Sequence, residues 1–421
     1  MTKKIFILFL ISLFILNSGL LYSKDLLSLK SLIEEAKKNN PDILAAKKRW
    51  EAAKTRIPIA KSLDNPTVGL TFEKIPKGTL KLNKTMAEDR MLSISQMFPL
   101  FGKLPLKGKI ALVESQMAAS EYKNKELEII NAVKNAYYGL FLSYKEIGLN
   151  QESLKLLEAV ANVAEAKYIV GEISQEELFK INLEIAGLSN NIQNLKQELS
   201  AKNTRLNTLL NREPENPLGM PTLEEDIFFA TDINSLYRLT LENQPELLIF
   251  SYAIEKNKYA KSLAKRSFFP DLMAEIGLRG ITAGGIGPWD LMLAFTVPFW
   301  FWTKQRYEVK EAIANLEEAK ASYEAMKNKA LSETKDLSTK LEIAKNKINL
   351  YKTNLIPILE NSIESSLAGF RSRERDSMML LDTIRMLIET KMNYYQALVE
   401  YNMNLADLER AVGLDLSEVK K

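Results

Sequence analysis

The feature of this sequence that most constrains its fold is a repeat with a period of 204 residues. The motif Asn-Asn-Pro-Asp that ends at Asp42 returns as Asn-Gln-Pro-Glu ending at Glu246, and Pro66 returns as Pro270, each 204 positions later. This period is much longer than the roughly 20 to 50 residues of a solenoid unit. The sequence therefore predicts a duplicated domain, with a leader at residues 1–23, a first copy at 24–220 and a second copy at 221–421.

The N-terminus has the pattern of an export signal. Lys3 and Lys4 supply a positive start, Ile5 to Leu16 form an apolar segment, and a more polar stretch ends near Ser23. The alternative is an N-terminal membrane anchor, but the apolar run is shorter than the about 20 residues of a membrane-crossing helix. No later segment is a candidate transmembrane helix. A mature protein that entered a membrane would therefore have to do so as β-strands.

The composition argues against several kinds of chemistry. The chain has no cysteine and no histidine, so thiol chemistry, disulfides and the commonest general base are excluded. We expect no dedicated zinc or copper site, no cofactor and no catalytic residue. The segment Gly102 to Ile110 resembles a phosphate-binding loop, but Ile110 replaces the hydroxyl residue that would hold magnesium. The sequence thus predicts neither an enzyme nor a nucleic-acid-binding protein.

Long heptad patterns dominate the chain. One seam has apolar side chains spaced four and three residues apart, as a coiled coil requires, at Val133, Tyr137, Leu140, Tyr144 and Ile147. Residues 106–168 contain no proline, and residues 303–370 contain one, Pro357. Each stretch predicts a helical segment roughly 90 to 100 Å long, which bridges a distance rather than fills a core.

Short alternating segments follow the repeat prolines, at about residues 67–72, 92–96, 272–278 and 290–297. Their length approaches the roughly 9 to 11 residues of a tilted transmembrane strand. Aromatic residues flank the last segment, as at a membrane interface. The residues predicted to face lipid are Val68, Leu70, Phe72, Leu272, Ile276, Leu291, Leu293 and Phe295.

The alternative for these segments is a soluble α+β protein with two hairpins. Four strands cannot close a barrel, and an open strand edge cannot be exposed to lipid. If the strands lie in a membrane, several chains must therefore each contribute four.

The order and spacing of these elements resemble the TolC-like outer membrane efflux proteins, most closely the heavy-metal efflux branch. The resemblance rests on the two Asn-x-Pro-(Asp/Glu) motifs and on the segments 96–103, 297–300 and 168–174. It implies a mainly α fold with transmembrane β: a homotrimer with a 12-stranded outer-membrane barrel and a periplasmic α-helical barrel. Short helices around residues 28–40 and 211–245 would form a belt around the middle of the helical barrel. It also implies two partners, a periplasmic adaptor and an inner-membrane pump of the resistance-nodulation type.

The resemblance assigns roles to residues at the helix ends. Two tips would dock the adaptor, at Val170, Gly171, Glu172 and Ser174 and at Arg371, Arg373 and Asp376. The pore entrance would be formed by Arg375, Met379 and Asp382. Only Asp382 matches one of the family's two acidic entrance positions, because Met379 occupies the other. The alternative for this cluster is an ordinary solvated helix cap.

The function that the resemblance implies is a passive outer-membrane exit duct of a tripartite efflux pump. It would conduct metal ions or small toxic compounds from the periplasm to the exterior. Two alternatives stay open: the outer component of a type I protein secretion system, and an exported periplasmic coiled-coil scaffold.

Overall fold

The computed structural model describes residues 26–75, 77–78, 81–82, 85–86, 89–223, 232–280, 287–372 and 377–416. The predicted leader at 1–23 lies outside these residues, and so do three predicted site residues, Arg373, Arg375 and Asp376. The described chain is mainly helical with a small sheet, which confirms the predicted fold class.

The helices are α1 (Leu29–Asn39), α2 (Pro41–Lys61), α3 (Lys103–Ile169), α4 (Gln175–Leu209), α5 (Ile233–Asn243), α6 (Pro245–Arg266), α7 (Gln305–Leu350), α8 (Ile356–Ser372) and α9 (Ser377–Val412). The strands are β1 (Leu26–Leu27), β2 (Thr67–Phe72), β3 (Arg90–Phe98), β4 (Met220–Pro221), β5 (Leu272–Arg279) and β6 (Trp289–Phe295).

The repeat appears as two matching helix pairs. Helices α1 and α5 begin 204 positions apart, and so do α2 and α6. Asn40 and Gln244 separate the helices of each pair with ψ angles of 125° and 116°, because a residue before proline is disfavoured in the helical region. Pro41 and Pro245 then begin the next helix, where a missing N–H breaks no helical hydrogen bond.

The long helices form as the absence of proline predicts. Helix α3 has 67 residues, which corresponds to about 100 Å. In the second copy, a π-helical turn at Tyr351–Leu355 joins α7 to α8 just before Pro357, and the Ile356 N–H donates to the Tyr351 carbonyl. This wider turn lets the helix continue past a proline, whose missing N–H removes one hydrogen bond. No described helix offers an apolar span sufficient for a membrane crossing.

The predicted strand segments form one antiparallel sheet in the order β2-β3-β5-β6. The central pair, β3 and β5, joins the two copies of the repeat, with Phe98 opposite Leu272 and Met91 opposite Arg279. The strands therefore do not form two separate hairpins. A second contact, not predicted, is the short parallel pairing of β1 with β4.

The chain divides into two compact units, and each unit takes segments from both copies of the repeat. The first contains the described parts of residues 1–40, 129–231 and 336–408, and the second those of 41–128, 232–335 and 409–421. The sheet belongs to the second unit. The repeat boundary proposed at 220/221 stays a prediction.

Heptad packing holds the first unit together. Val133, Tyr137, Leu140 and Ile147 are all buried, which confirms most of the predicted seam. The Tyr137 hydroxyl donates to the Thr222 carbonyl oxygen at 2.7 Å and accepts from the Thr222 N–H at 2.9 Å. This buried tyrosine thus fixes the segment that follows β4.

A bidentate ion pair ties α1 to the end of α4 in the first unit. The Arg212 guanidinium donates from Nε and Nη2 to the two Glu35 carboxylate oxygens, both at 2.6 Å. The hydrogen bonds that Arg212 donates to the Glu35 carboxylate raise the pKa of Arg212 above its usual value. The planar fork makes this a stronger contact than an exposed Lys–Glu pair.

Glu146 on α3 allows a test of pH-dependent stability. Burial raises the pKa of its carboxyl above the ordinary value of 4.5. The folded state therefore holds this proton to higher pH than the unfolded state, and stability falls as pH rises through the two pKa values. Glu146→Gln should raise the melting temperature at pH 7, and the gain should disappear below the ordinary pKa of 4.5. Exposed Glu165→Gln is the matched control, and an equal gain there would contradict the burial argument.

Candidate functional site: sheet faces and helix tips

The sheet register places all eight predicted lipid-facing residues on one side, here called the apolar face. Val68, Ile94, Ile276 and Leu291 are aligned across the strands, and aligned residues of an antiparallel sheet point to the same side. The other members follow at intervals of two residues. The face comprises Val68, Leu70, Phe72, Leu92, Ile94, Gln96, Phe98, Leu272, Ala274, Ile276, Leu278, Trp289, Leu291, Leu293 and Phe295, with Arg90 at one end.

The opposite side, here called the polar face, has a different composition. It comprises Thr67, Gly69, Thr71, Met91, Ser93, Ser95, Met97, Met273, Glu275, Gly277, Arg279, Asp290, Met292 and Ala294. In the central strand β3, Ser93 on this face is 7% exposed, whereas Ile94 on the apolar face is 48% exposed. This difference fits a sheet that curves toward its polar face and presents its apolar face outward.

Ion pairs join the strands to the neighbouring loops at the Arg279 end of the sheet. Arg279 Nε donates to Asp290 Oδ2 at 2.6 Å, and its Nη1 donates to Glu73 Oε2 at 3.2 Å. Lys74 pairs with Asp89 at 2.8 Å. These contacts connect β5, β6 and the loop that follows β2.

A carboxylate joins the sheet to the long helix at the opposite end. Asp271 Oδ1 accepts from the Leu100 N–H at 3.0 Å and from Lys103 Nζ at 2.8 Å. The Asp271 N–H donates to Thr296 Oγ1 at 2.9 Å. The Lys103 and Asp271 side chains are only 12% and 25% exposed, so the interaction is weakly screened by water. Residues 103–110, which resemble a phosphate-binding loop, are the start of α3 and form no such loop.

Aromatic side chains are exposed beside this end of the sheet. Phe299, Trp300, Phe301 and Trp302 form an aromatic cluster in which every ring is at least half exposed. The rings of Phe301 and Trp302 lie 4.8 Å apart. Amphipathic rings at strand ends suit the interface between lipid and water.

The first helix tip joins α3 to α4 in a tight, well-capped turn. Gly171 has φ of +72°, a left-handed conformation that favours glycine, and the Glu172 N–H donates to the Lys167 carbonyl at 2.8 Å. Ser174 caps α4 by accepting from the Glu177 N–H at 3.2 Å. Val170 is exposed. The four residues predicted to dock an adaptor thus lie together in one surface turn.

The end of α8 lies beside the first helix tip. Lys167 Nζ donates to the Phe370 carbonyl at the end of α8 and lies 4.6 Å from the centre of the Phe370 ring. A shared core joins the ends of α3, α4, α8 and α9, formed by Leu157, Val160, Ala164, Ile181, Ile363, Phe370, Leu380, Leu381, Ile384 and Leu387. Arg373 and Asp376 lie outside the described residues, and Arg371 is described only as part of the α8 backbone.

The predicted entrance residues Met379 and Asp382 are exposed on α9. Asp382 Oδ1 accepts from Arg385 Nη1 at 3.3 Å, and Arg385 Nη2 donates to Glu184 Oε1 on α4 at 3.3 Å. Arg375, the third predicted entrance residue, lies outside the described residues. Sequence reasoning missed Arg385, although its i+3 spacing from Asp382 was a usable signal.

Cation sites built from acidic groups are absent within the described ranges. No group of three or more histidine, cysteine, aspartate or glutamate side chains is placed to hold a metal ion there. A site for divalent ions that uses carboxylates therefore has no support in this part of the chain.

Comparison with known proteins gives one family match and several distant relatives. The Outer membrane efflux protein family model matches residues 32–212. The cobalt-zinc-cadmium resistance protein CzcC of Cupriavidus metallidurans is 19% identical over 92% of this chain and 90% of its own. An uncharacterized protein of Haemophilus influenzae is 21% identical over 60% of this chain, which matches 57% of that protein's length.

A solved structure matches the fold over nearly the whole chain. The outer membrane protein VceC of Vibrio cholerae superposes with a TM-score of 0.79 at 17% identity, over 92% of this chain and 96% of its own. Because the identity is low, this likeness shows a shared fold and nothing finer.

Proposed function

We propose that the chain is a member of the outer membrane efflux protein family, whose model matches residues 32–212, and that it is the outer-membrane exit duct of a tripartite efflux pump. It conducts substrates passively from the periplasm to the exterior, with its strands in the outer membrane and its long helices in the periplasm. The similarity to CzcC over most of both chains supports the heavy-metal branch.

The observation that carries this proposal is the division of the sheet into two chemically different faces. A continuous exposed apolar face suits lipid, and a polar face with small residues suits a water-filled lumen. In a soluble protein, such an apolar patch would normally be covered. The exposed aromatic cluster at one end of the sheet then lies at the interface between lipid and water.

The two-edged sheet supports a homotrimer. β2 and β6 are its outer strands, and an unpaired edge is not tolerated in lipid. Three copies supply twelve strands to one closed barrel, in which β6 of one chain pairs with β2 of the next. The long helices of the three chains form the tube that continues the barrel.

The helix tips are the proposed docking surface for a periplasmic adaptor, through which an inner-membrane pump of the resistance-nodulation type supplies the energy. The tip at Val170, Gly171, Glu172 and Ser174 is closed by capping hydrogen bonds and has Val170 exposed, and Arg371, Arg373 and Asp376 remain proposed members of the second tip. Val170→Asp should abolish pump-dependent export while leaving membrane insertion and assembly unchanged. Full export by this variant would remove the first tip from the docking surface.

The pore entrance is proposed to include Arg375, Met379 and Asp382, with Arg385 and Glu184 as the ion-pair partners that the structure adds. Three copies of Asp382 around a threefold axis create a negative ring that favours cations. The Arg385–Glu184 contact joins α9 to α4, which suits a closed entrance, and the Asp382–Arg385 contact within α9 positions this arginine.

Removal of the entrance ion pairs should open the channel. Asp382→Ala with Arg385→Ala should raise single-channel conductance in planar bilayers, because α9 loses its tie to α4. Asp382→Asn alone should mainly lower the preference for cations over anions. The matched control is Asp336→Ala with Lys340→Ala, an exposed ion pair on α7 whose loss should change neither property. Unchanged conductance and ion preference in the entrance variants would leave these residues as ordinary helix-surface ion pairs.

A deletion strain tests the proposed function itself. Loss of the chain should sensitise cells to members of a panel of metals, dyes and drugs, and the intact gene should restore resistance. Fractionation separates the duct from a periplasmic coiled-coil scaffold, because the duct must resist extraction by alkaline carbonate. Complete extraction, or unchanged sensitivity to the whole panel, would contradict the proposal.

A further inference from the structure

Methionine is the only large apolar residue on the polar face of the sheet. Four of the chain's 14 methionines lie there, at Met91, Met97, Met273 and Met292. The apolar face carries Leu, Ile, Val, Phe and Trp side chains but no methionine. The two faces therefore differ in the kind of apolar side chain as well as in polarity.

The register brings these methionines together. Met97 lies directly opposite Met273, a placement that puts their Cβ atoms about 4.5 to 5.5 Å apart. Met273 faces Ala294 on its other side, and this small residue leaves room for the neighbouring side chain of Met292. Met292 is diagonal to Met273, at about 7 to 8 Å between backbones, and is 44% exposed. Three flexible thioethers can therefore reach a common point.

The fourth thioether approaches from the other side. Met91 Sδ lies over Gly277, only 2.6 Å from where a Cβ atom of that residue would be. Gly277 is the next residue on this face after Glu275, and Glu275 lies opposite Met292. Within the described residues, the Glu275 carboxylate makes no hydrogen bond or ion pair. On this face Glu275 thus lies between Gly277, where the Met91 thioether packs, and Met273, so that its carboxylate can neutralise a cation bound by the neighbouring methionines.

We propose that this methionine cluster, consisting of Met91, Met97, Met273 and Met292 with Glu275, binds soft monovalent cations, Cu(I) or Ag(I). Thioether sulfur is a soft ligand that selects Cu(I), whereas Zn(II) and Co(II) prefer imidazole, thiolate or carboxylate ligands. The absence of cysteine and histidine excludes thiolate and imidazole sites, but it leaves thioether sites available. The expectation of no copper site in the sequence analysis concerned only thiolate and imidazole ligands.

The properties of such a site suit transit rather than storage. Neutral thioethers lack the charge of thiolates, and conduction requires binding that is weak enough for release. In the proposed trimer the cluster occurs three times around one lumen, so that a cation could pass between copies. The role in export rests on the proposed function, whereas cation binding by the cluster does not.

Silver binding to the full-length protein in detergent tests the proposal. Titration with silver nitrate in chloride-free buffer, followed by calorimetry, should detect binding by the unmodified protein. The variant in which Met91, Met97, Met273 and Met292 are all replaced by Leu should bind silver weaker by about tenfold or more, because leucine keeps the volume and removes the sulfur. Glu275→Gln should also weaken binding. The control replaces Met86, Met220, Met326 and Met403 by Leu and should bind like the unmodified protein.

The outcomes separate this site from the duct function. Absence of silver binding by the unmodified protein, or equal loss in both methionine variants, would overturn the site. Zinc titrations should show no difference between the two variants. The cluster variant should still assemble, insert and export any dye that the duct carries. The duct function is therefore tested by dye export, which should be lost in the deletion strain and kept by the cluster variant. The metal site is tested by silver binding, which should be lost in the cluster variant and kept by the control variant.

Discussion

Leu293→Arg is expected to prevent stable insertion into the outer membrane. Leu293 is 58% exposed at the centre of β6, on the apolar face. An arginine that faces lipid near the bilayer midplane costs about 2 to 4 kcal/mol, and every chain of a homotrimer would carry this cost. The measurement is the amount of carbonate-resistant protein in the outer-membrane fraction, which should fall sharply while total protein appears in the soluble or degraded fraction.

Met292→Arg is the matched control for this prediction, since it introduces the same charge one residue away. Met292 lies on the polar face opposite Glu275, so that the new guanidinium can remain in water and pair with a carboxylate. Insertion should be close to that of the unmodified protein. Equal loss at positions 292 and 293 would mean that the faces of the sheet are wrongly assigned, or that the sheet is not in a membrane.

Asp271→Ala is expected to cause the second large effect, a loss of about 3 kcal/mol in the free energy of unfolding. The change removes the acceptor for the Leu100 N–H and leaves the Lys103 ammonium without a carboxylate, with only the Phe269 carbonyl as an acceptor. Thermal unfolding in detergent, followed by circular dichroism, should show a clear decrease in melting temperature. The substitution should also weaken the contact between the residue before β5 and the start of α3.

Two further variants identify the cause of that loss. Adding Lys103→Met to Asp271→Ala should restore part of the stability, because the uncompensated charge is then removed. Glu51→Ala breaks an exposed pair with Lys48 and should cost only about 0.5 kcal/mol. A loss no larger in Asp271→Ala than in Glu51→Ala would show that the ion pair contributes little to the junction.

Local sequence rules predicted the elements well. The two-residue period of the strands assigned every predicted lipid-facing residue to one side of the sheet, since side chains alternate strictly along a strand. Pro41 and Pro245 marked the helix junctions because proline restricts the residue before it and can begin a helix. The proline-free stretch from 106 to 168 likewise predicted α3.

Long-range partners could not be predicted from local patterns. Glu35 is bound by Arg212, which lies 177 positions away, and the β1–β4 pairing joins residues from the ends of the first copy. Arg385 was missed for a different reason, because the family resemblance assigns the arginine of the entrance to position 375. The methionine cluster also required the register, since Met97 and Met273 become neighbours only when β3 pairs with β5.

The mass of the native assembly tests the central proposal most directly, namely that three copies of this chain complete one barrel together. Protein extracted from outer membranes in mild detergent should show, by native mass spectrometry, the mass of three chains. The sheet order β2-β3-β5-β6 leaves two outer strands per chain, which only neighbouring chains can pair in lipid. A folded monomer as the stable species would contradict the account.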